Sequence, residues 1–244
     1  MGTLLNVYYS RFDNHGSPML YLIASLWLLF ASSVQAEQRQ LYDENSPVWL
    51  TAVGTLSVPG HRFESGERLH HHENCSATLV GPRTILTAWH CLEFYRDLSQ
   101  TIVFTLPYMP QQPHWRATRL ANGGGMSADW ALLRLERAVS GVVPLPVHGY
   151  FNTDSTVAIS MAGYSRDAGL GNGGANLTWQ ATCQVTANEQ FRVATNCQAY
   201  KGASGGPVIS NGKIIGVISA GDGEELTYYA PSSRFTSALR LYLR

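Results

Sequence analysis

The stretch Pro207-Val208-Ile209-Ser210-Asn211-Gly212-Lys213-Ile214-Ile215-Gly216-Val217-Ile218-Ser219 does most to limit what this chain can become. An Asn-Gly pair between two apolar, β-branched runs is the strongest short-range hairpin signal, because both residues accept the positive φ of a tight turn. Shorter runs of the same kind recur upstream at 48–56, 77–80, 84–88, 102–106, 130–135 and 156–162. Turn residues separate them, and the 23 glycines accompany only 14% charged residues. Many short strands with almost no helical periodicity predict an all-β fold, a barrel or a sandwich. The exception is the C-terminus, where Ser232 and Ser233 precede Phe235, Ala238, Leu239 and Tyr242 at helical spacing. That pattern predicts a closing helix over 232–243. The segment 142–146 carries Pro144 and Pro146, which cannot sit in a central strand, and so reads as a connection between two β units.

The N-terminus reads differently. Residues 19–30 are almost wholly apolar, and small residues follow up to Ala36. An apolar stretch too short to span a bilayer, ahead of a small-residue cut site, predicts a secretory signal over 1–36, with Met19 an alternative start. An uncleaved anchor is the competing reading. Arg39 is a candidate processing point beyond it. Four cysteines agree with export to an oxidising compartment. They allow three pairings, and none has the C-x-x-C spacing of a zinc or redox site. The formal charge is zero, so no electrostatic case exists for nucleic acid or an anionic membrane as partner.

Chemistry concentrates in three stretches. Lys201-Gly202-Ala203-Ser204-Gly205-Gly206-Pro207 presents a serine hydroxyl among small residues whose backbone N–H groups can turn to one spot. Thr87-Ala88-Trp89-His90-Cys91 ends an apolar run on a histidine, and Asp129 stands at the mouth of the run 130–135. Each alone has a bland explanation: a Gly-rich turn, a packing histidine, a turn acid. In the order His, Asp, Ser they resemble the triad of trypsin/chymotrypsin-fold serine endopeptidases. The likeness runs from about Val48 to the C-terminus. The run Asn196-Cys197-Gln198-Ala199-Tyr200-Lys201-Gly202-Ala203-Ser204 is closer to the bacterial, glutamyl-endopeptidase-like branch than to the digestive enzymes.

The resemblance implies two packed antiparallel six-stranded β-barrels, an N-barrel at about 47–142 and a C-barrel at about 147–230, with a short C-terminal α-helix. It implies Ser204 as nucleophile, His90 as general base, Asp129 as its buried partner, and the amides of Gly202 and Ser204 as oxyanion donors. Disulfides Cys75–Cys91 and Cys183–Cys197 follow from the same likeness. Gln198 and Ala199 fall near the floor of the substrate pocket, Ile218 on its wall, and Ser219 to Gly221 on the segment that pairs with substrate backbone. The expected protein is a secreted or periplasmic monomer that cuts proteins or peptides through an acyl-enzyme, without cofactor or metal, and is not held in a membrane once its signal is removed.

Other readings of the same residues compete with it. Gly202-Ala203-Ser204-Gly205-Gly206 also fits the esterase elbow G-x-S-x-G, but that fold needs a histidine downstream and none follows His148. A catalytically silent relative that only binds proteins is the remaining alternative. His70-His71-His72-Glu73 suggests metal, yet neighbours on an extended chain point apart, so a solvated loop is expected. Ala203 stands where digestive relatives keep an aspartate for a new N-terminus, which argues against their mode of zymogen switching. No acid lies at the pocket floor, and Ile218 replaces the histidine of the glutamyl endopeptidases. Asp222, Glu224 and Glu225 would line the rim, and uncharged side chains are the expected preference.

Overall fold

The computed structural model describes residues 37–95, 100–149, 156–223 and 226–243. Residues 1–36, where a secretory signal is expected, lie outside them, as do Glu224 and Glu225.

Six strands close into a barrel: β2 (Val53–Glu64), β3 (Glu67–Gly81), β4 (Thr84–Thr87), β5 (Ile102–Thr105), β6 (His114–Asn122) and β7 (Ala131–Leu135), in the order β2-β3-β4-β7-β6-β5. Alternate residues Leu56, Ala77, Leu79, Ile85, Phe104, Trp115 and Leu133 fill its interior and are almost fully buried. Closure leaves the barrel without a free edge.

The second unit is a sheet in the order β1-β9-β8-β12-β13-β14-β11-β10. It comprises β1 (Gln40–Leu41), β8 (Ile159–Gly163), β9 (Thr178–Cys183), β10 (Val185–Asn188), β11 (Val193–Thr195), β12 (Pro207–Ser210), β13 (Lys213–Gly221) and β14 (Thr227–Pro231). The expected closed six-stranded barrel is here an eight-stranded sheet curled into a half-barrel. The break is local: β9 and β10 are one run interrupted at Gln184, after Thr182 adopts φ 59°, and they fall toward opposite ends of the strand order without pairing to each other. The N-terminal arm adds β1 along β9. The Asn211-Gly212 turn has φ of 49° and 72°, the type I′ geometry that its sequence predicts.

Three stretches depart from expectation. Residues Val48–Ala52 form a 3-10 turn after Pro47, not a strand, entered through the Leu50 N–H to Pro47 O bond at 3.0 Å. His70 to His72 lie within β3, not in a loop, facing His61, Gly60 and Pro59 across the ladder. A ribbon whose outer part projects into water can be polar and still be a strand. The C-terminal helix α1 (Thr236–Tyr242) is shorter than expected and has no side-chain cap. It packs Phe235 and Leu239 back onto the first barrel, with Trp130 against Phe235 at 6.1 Å. The connection at 139–148 is tied to both units, through Leu145 N–H to Leu79 O (2.9 Å) and Ile214 N–H to Pro146 O (2.9 Å).

Candidate active site

His90 leaves β4 on a single 3-10 turn, His90–Leu92, closed by Leu92 N–H to Trp89 O at 2.8 Å. The adjoining disulfide Cys75–Cys91 clamps this turn to β3. Asp129 occupies the central position of an inverse γ-turn (φ −77°, ψ 69°), with Trp130 N–H bonded to Ala128 O at 2.8 Å. That tight turn aims the carboxylate inward at the start of β7, where it is 1% exposed.

A buried carboxylate must be met by donors. Asp129 Oδ1 accepts the His90 backbone N–H (2.9 Å), and Oδ2 accepts His90 Nδ1 (2.8 Å) and the Ser219 hydroxyl (2.5 Å). Because the carboxylate only accepts, His90 carries its hydrogen on Nδ1 and leaves Nε2 as a lone pair. Burial drives His90 toward its neutral form, but the Asp129 bond and charge, with Glu73 and Glu93, outweigh that and raise its pKa above 6.5.

Ser204 arrives from the second unit. Its carbonyl accepts Ser76 N–H at 2.8 Å, and the same oxygen lies 3.9 Å from Cys91 Sγ, the sulfur that is also 3.9 Å from His90 Nε2. Gly205 makes this approach possible. At φ 85°, a Cβ there would stand 2.1 Å from Ser76 O and 2.2 Å from Thr87 Oγ1. Ser204 Oγ itself makes no hydrogen bond among the described residues.

Tyr200 to Ala203 form a type II turn, closed by Ala203 N–H to Tyr200 O (3.0 Å) with Gly202 at φ 98°. Lys201 O accepts Arg166 N–H (2.7 Å). A trans peptide points its N–H opposite its carbonyl, so the Gly202 N–H turns away from Arg166. Neither it nor the Ser204 N–H has an internal acceptor among the described residues. Two unclaimed donors in one tight loop can serve as a cradle for an anion.

The other expected site residues are brought to the same unit. Ile218 and Ala199 are buried. Gly221 leaves no room for a side chain beside Ala199 O and Thr227 Oγ1. Gln198 is already engaged: its Oε1 accepts Gln38 N–H (2.9 Å), and its own N–H bonds Gln180 Oε1 (2.7 Å). Cys183–Cys197 anchors the chain leading into this loop.

Several contributors were invisible in the sequence. Ser76 joins the two units, its hydroxyl accepting Tyr164 N–H (2.8 Å) and donating to Gly202 O (2.9 Å). Arg39 has a side chain 2% exposed, paired with Glu37 and Asp167 and stacked 4.2 Å over Tyr200, so it is not presented for processing. A buried arginine thus packs against Tyr200, the first residue of the turn that leads to Ser204. Among the described residues, the histidine and cysteine atoms grouped closely enough to suggest a metal are His90 with Cys75 and Cys91, and the disulfide consumes both thiols.

The sequence model of the family described as Trypsin matches residues 52–239. Among solved structures the chain is similar to GrC, with a TM-score of 0.63 and 18% identity over 81% of this chain and 96% of that one. It is also similar to a Glu endopeptidase in complex with MPD, with a TM-score of 0.65 and 16% identity over 85% and 96%. At such identities the structural likeness speaks to fold. No curated protein sequence matches the chain.

Proposed function

The chain is a serine protease of the trypsin family, and we propose that it is an exported endopeptidase acting through Ser204, His90 and Asp129. The observation that carries this reading is the 2.8 Å bond from His90 Nδ1 to a buried Asp129, on a histidine that shares a 3.9 Å neighbour with the Ser204 carbonyl.

The lone pair on His90 Nε2 takes the proton of Ser204 Oγ as that oxygen bonds to the scissile carbonyl carbon. Catalytic hydrogen bonds are often absent before substrate arrives, and this one forms on approach. The former carbonyl oxygen becomes an oxyanion and receives the Gly202 and Ser204 N–H groups. The C–N bond then breaks, and the proton on His90 passes to the departing amine. Water, deprotonated by His90, attacks the acyl carbon, the Ser204 ester breaks, and the proton returns to Ser204 Oγ. Asp129 stays ionised throughout and steadies the imidazolium, with Ser219 holding the carboxylate in place.

Protein or peptide substrates follow from the family. The walls built by Ala199 and Ile218 are apolar, and Gln198 is neutral and committed to the N-terminal arm, which supports an uncharged side chain before the cut. The Glu preference named for the similar endopeptidase has no basic partner among these residues. Among the described residues no helix is long and apolar enough to cross a membrane, and both disulfides suit an oxidising compartment, outside the cell or in a periplasm.

Ser204→Ala tests the reading. The variant is expected to keep the parent's melting temperature and peptide binding while losing turnover by about 10⁶. Parent-like cleavage would refute it.

A further inference from the structure

Beside the Gly202 turn, whose glycine packs on the Arg166 stem, lies a cleft of about 260 Å³ lined by Thr55, Asn74, Cys75, Tyr164, Arg166 and the 173–174 turn. Its single charged lining residue is Arg166. The aliphatic stem of that arginine is seated between two glycines: a Cβ on Gly202 would stand 2.7 Å from Arg166 Cγ, and one on Gly174 would stand 3.0 Å from it. Both glycines have positive φ, 98° and 93°, which keeps the slot open where other residues would close it. The guanidinium has no ion pair or hydrogen bond among the described residues, although the side chain is held at its root. The carboxylates beside the lining in sequence are both engaged, Glu73 with His71 Nε2 (2.9 Å) and Asp167 with Arg39 Nη1 (2.9 Å).

The direction of a bound substrate follows from the proposed function, on which this inference rests. With the scissile carbonyl oxygen in the cradle and the acyl side running along Ser219 to Gly221, the leaving amine departs past the Cys75–Cys91 disulfide. Cys75 is itself a wall of the cleft. The first residues after the cut therefore enter a polar space holding one arginine.

We propose that Arg166 reads a carboxylate on the leaving-group side, within the first two residues after the scissile bond. A planar guanidinium with free donors matches a carboxylate in charge and geometry, and a seated stem lowers the entropy lost on pairing. Asn74 and Thr55 can supply further polar contacts, and no lining residue repels an anion. The carboxylate is an Asp or Glu side chain or the free C-terminus of a substrate cut near its end.

The test uses the full secreted protein and quenched fluorescent peptides sharing one acyl side. One set places Glu, Gln or Lys at each of the first two positions after the cut, with an amidated end. A second set ends two residues after the cut as free acid or amide, which separates side-chain from terminal carboxylates. The parent is expected to favour the Glu or free-acid form over its neutral counterpart by about tenfold in kcat/KM, and to disfavour Lys. That ratio should shrink in high salt, collapse toward one in Arg166→Gln, stay above one in Arg166→Lys, and reverse in Arg166→Glu. Reading ratios within each variant cancels any general loss caused by the neighbouring turn. Parent rates within twofold across all substituents, or an unchanged ratio in both Arg166→Gln and Arg166→Glu, would overturn the inference while leaving the proposed peptidase intact. Failure to cleave any peptide, together with no labelling of Ser204 by a phosphonylating reagent, would remove both.

Discussion

Replacing Arg39 with methionine is expected to destabilise the protein by loosening the arm that braces the nucleophile turn. The guanidinium is 2% exposed and bonds Glu37 Oε2 at 2.6 Å and Asp167 Oδ1 at 2.9 Å. Its own burial opposes its charge, but the two carboxylates outweigh that penalty and raise its pKa. Methionine fills much of the volume, so the loss is mainly electrostatic. Glu37 is 39% exposed and regains water, so it counts for little. Asp167, at 12%, keeps the Gly171 N–H (3.1 Å) and its own backbone N–H but is left partly buried without its cation. Breaking a fully buried pair costs 3–5 kcal/mol, and this half-wet one should cost about 2–3 kcal/mol. For a domain of this size that lowers the melting temperature by about 4–12 °C.

The pH dependence has a definite sign. Burial raises the Asp167 pKa, but the Arg39 bond and the Gly171 N–H prevail and hold it below its ordinary 3.8, and the Arg39 bond lowers that of Glu37 likewise. Depressed carboxylates contribute stability above their unfolded pKa and lose it as pH falls through the folded one. Thermal melts followed by circular dichroism should show the parent's full advantage at neutral pH and a shrinking one below about pH 4. Arg39→Lys, which keeps charge without the fork or the stacking on Tyr200, should fall between. Melting temperatures matching within a degree at neutral pH, or a gap that persists in acid, would refute the reasoning.

Two further outcomes follow from the site. Gly202→Ala must hold an L-residue at φ 98° with its Cβ 2.5 Å from Tyr164 O, so it should tilt the cradle and cut kcat by about 10²–10³ with KM changed far less; intact kcat in steady-state assays would contradict the donor assignment. Because His90 has a raised pKa and works as a base, the acid limb of kcat/KM should rise above pH 6.5, and Asp129→Asn should move that limb down while slowing turnover; the same raised pKa adds stability below 6.5 that fades as pH climbs through the folded value. A limb unmoved by Asp129→Asn would count against the pairing.

How much of this was legible in the chain depended on how local each signal was. The Asn211-Gly212 hairpin was plain because its turn and its strands are contiguous. β9 and β10 were not, since a run bent at Thr182 with polar residues on its outer face shows neither clean alternation nor a turn motif. His70 to His72 read as a loop because their strand pairs in a ribbon with an exposed tip, where no apolar face is needed. His90, Asp129 and Ser204 stood out through motif order, whereas the Ser219 hydroxyl on Asp129 spans 90 positions and leaves no pattern. The Arg39–Asp167 pair spans 128 and is equally silent, so a basic residue near the N-terminus looked like a cleavage point. Ser76 was hidden for the same reason: its partners, Gly202 and Tyr164, belong to the other unit.

The most direct measurement is the mass of the intact protein and its peptides after treatment with a fluorophosphonate. One adduct is expected, on Ser204, formed quickly in the parent and at least a hundredfold more slowly in His90→Ala. An unlabelled Ser204, or equal labelling with and without the imidazole, would contradict it.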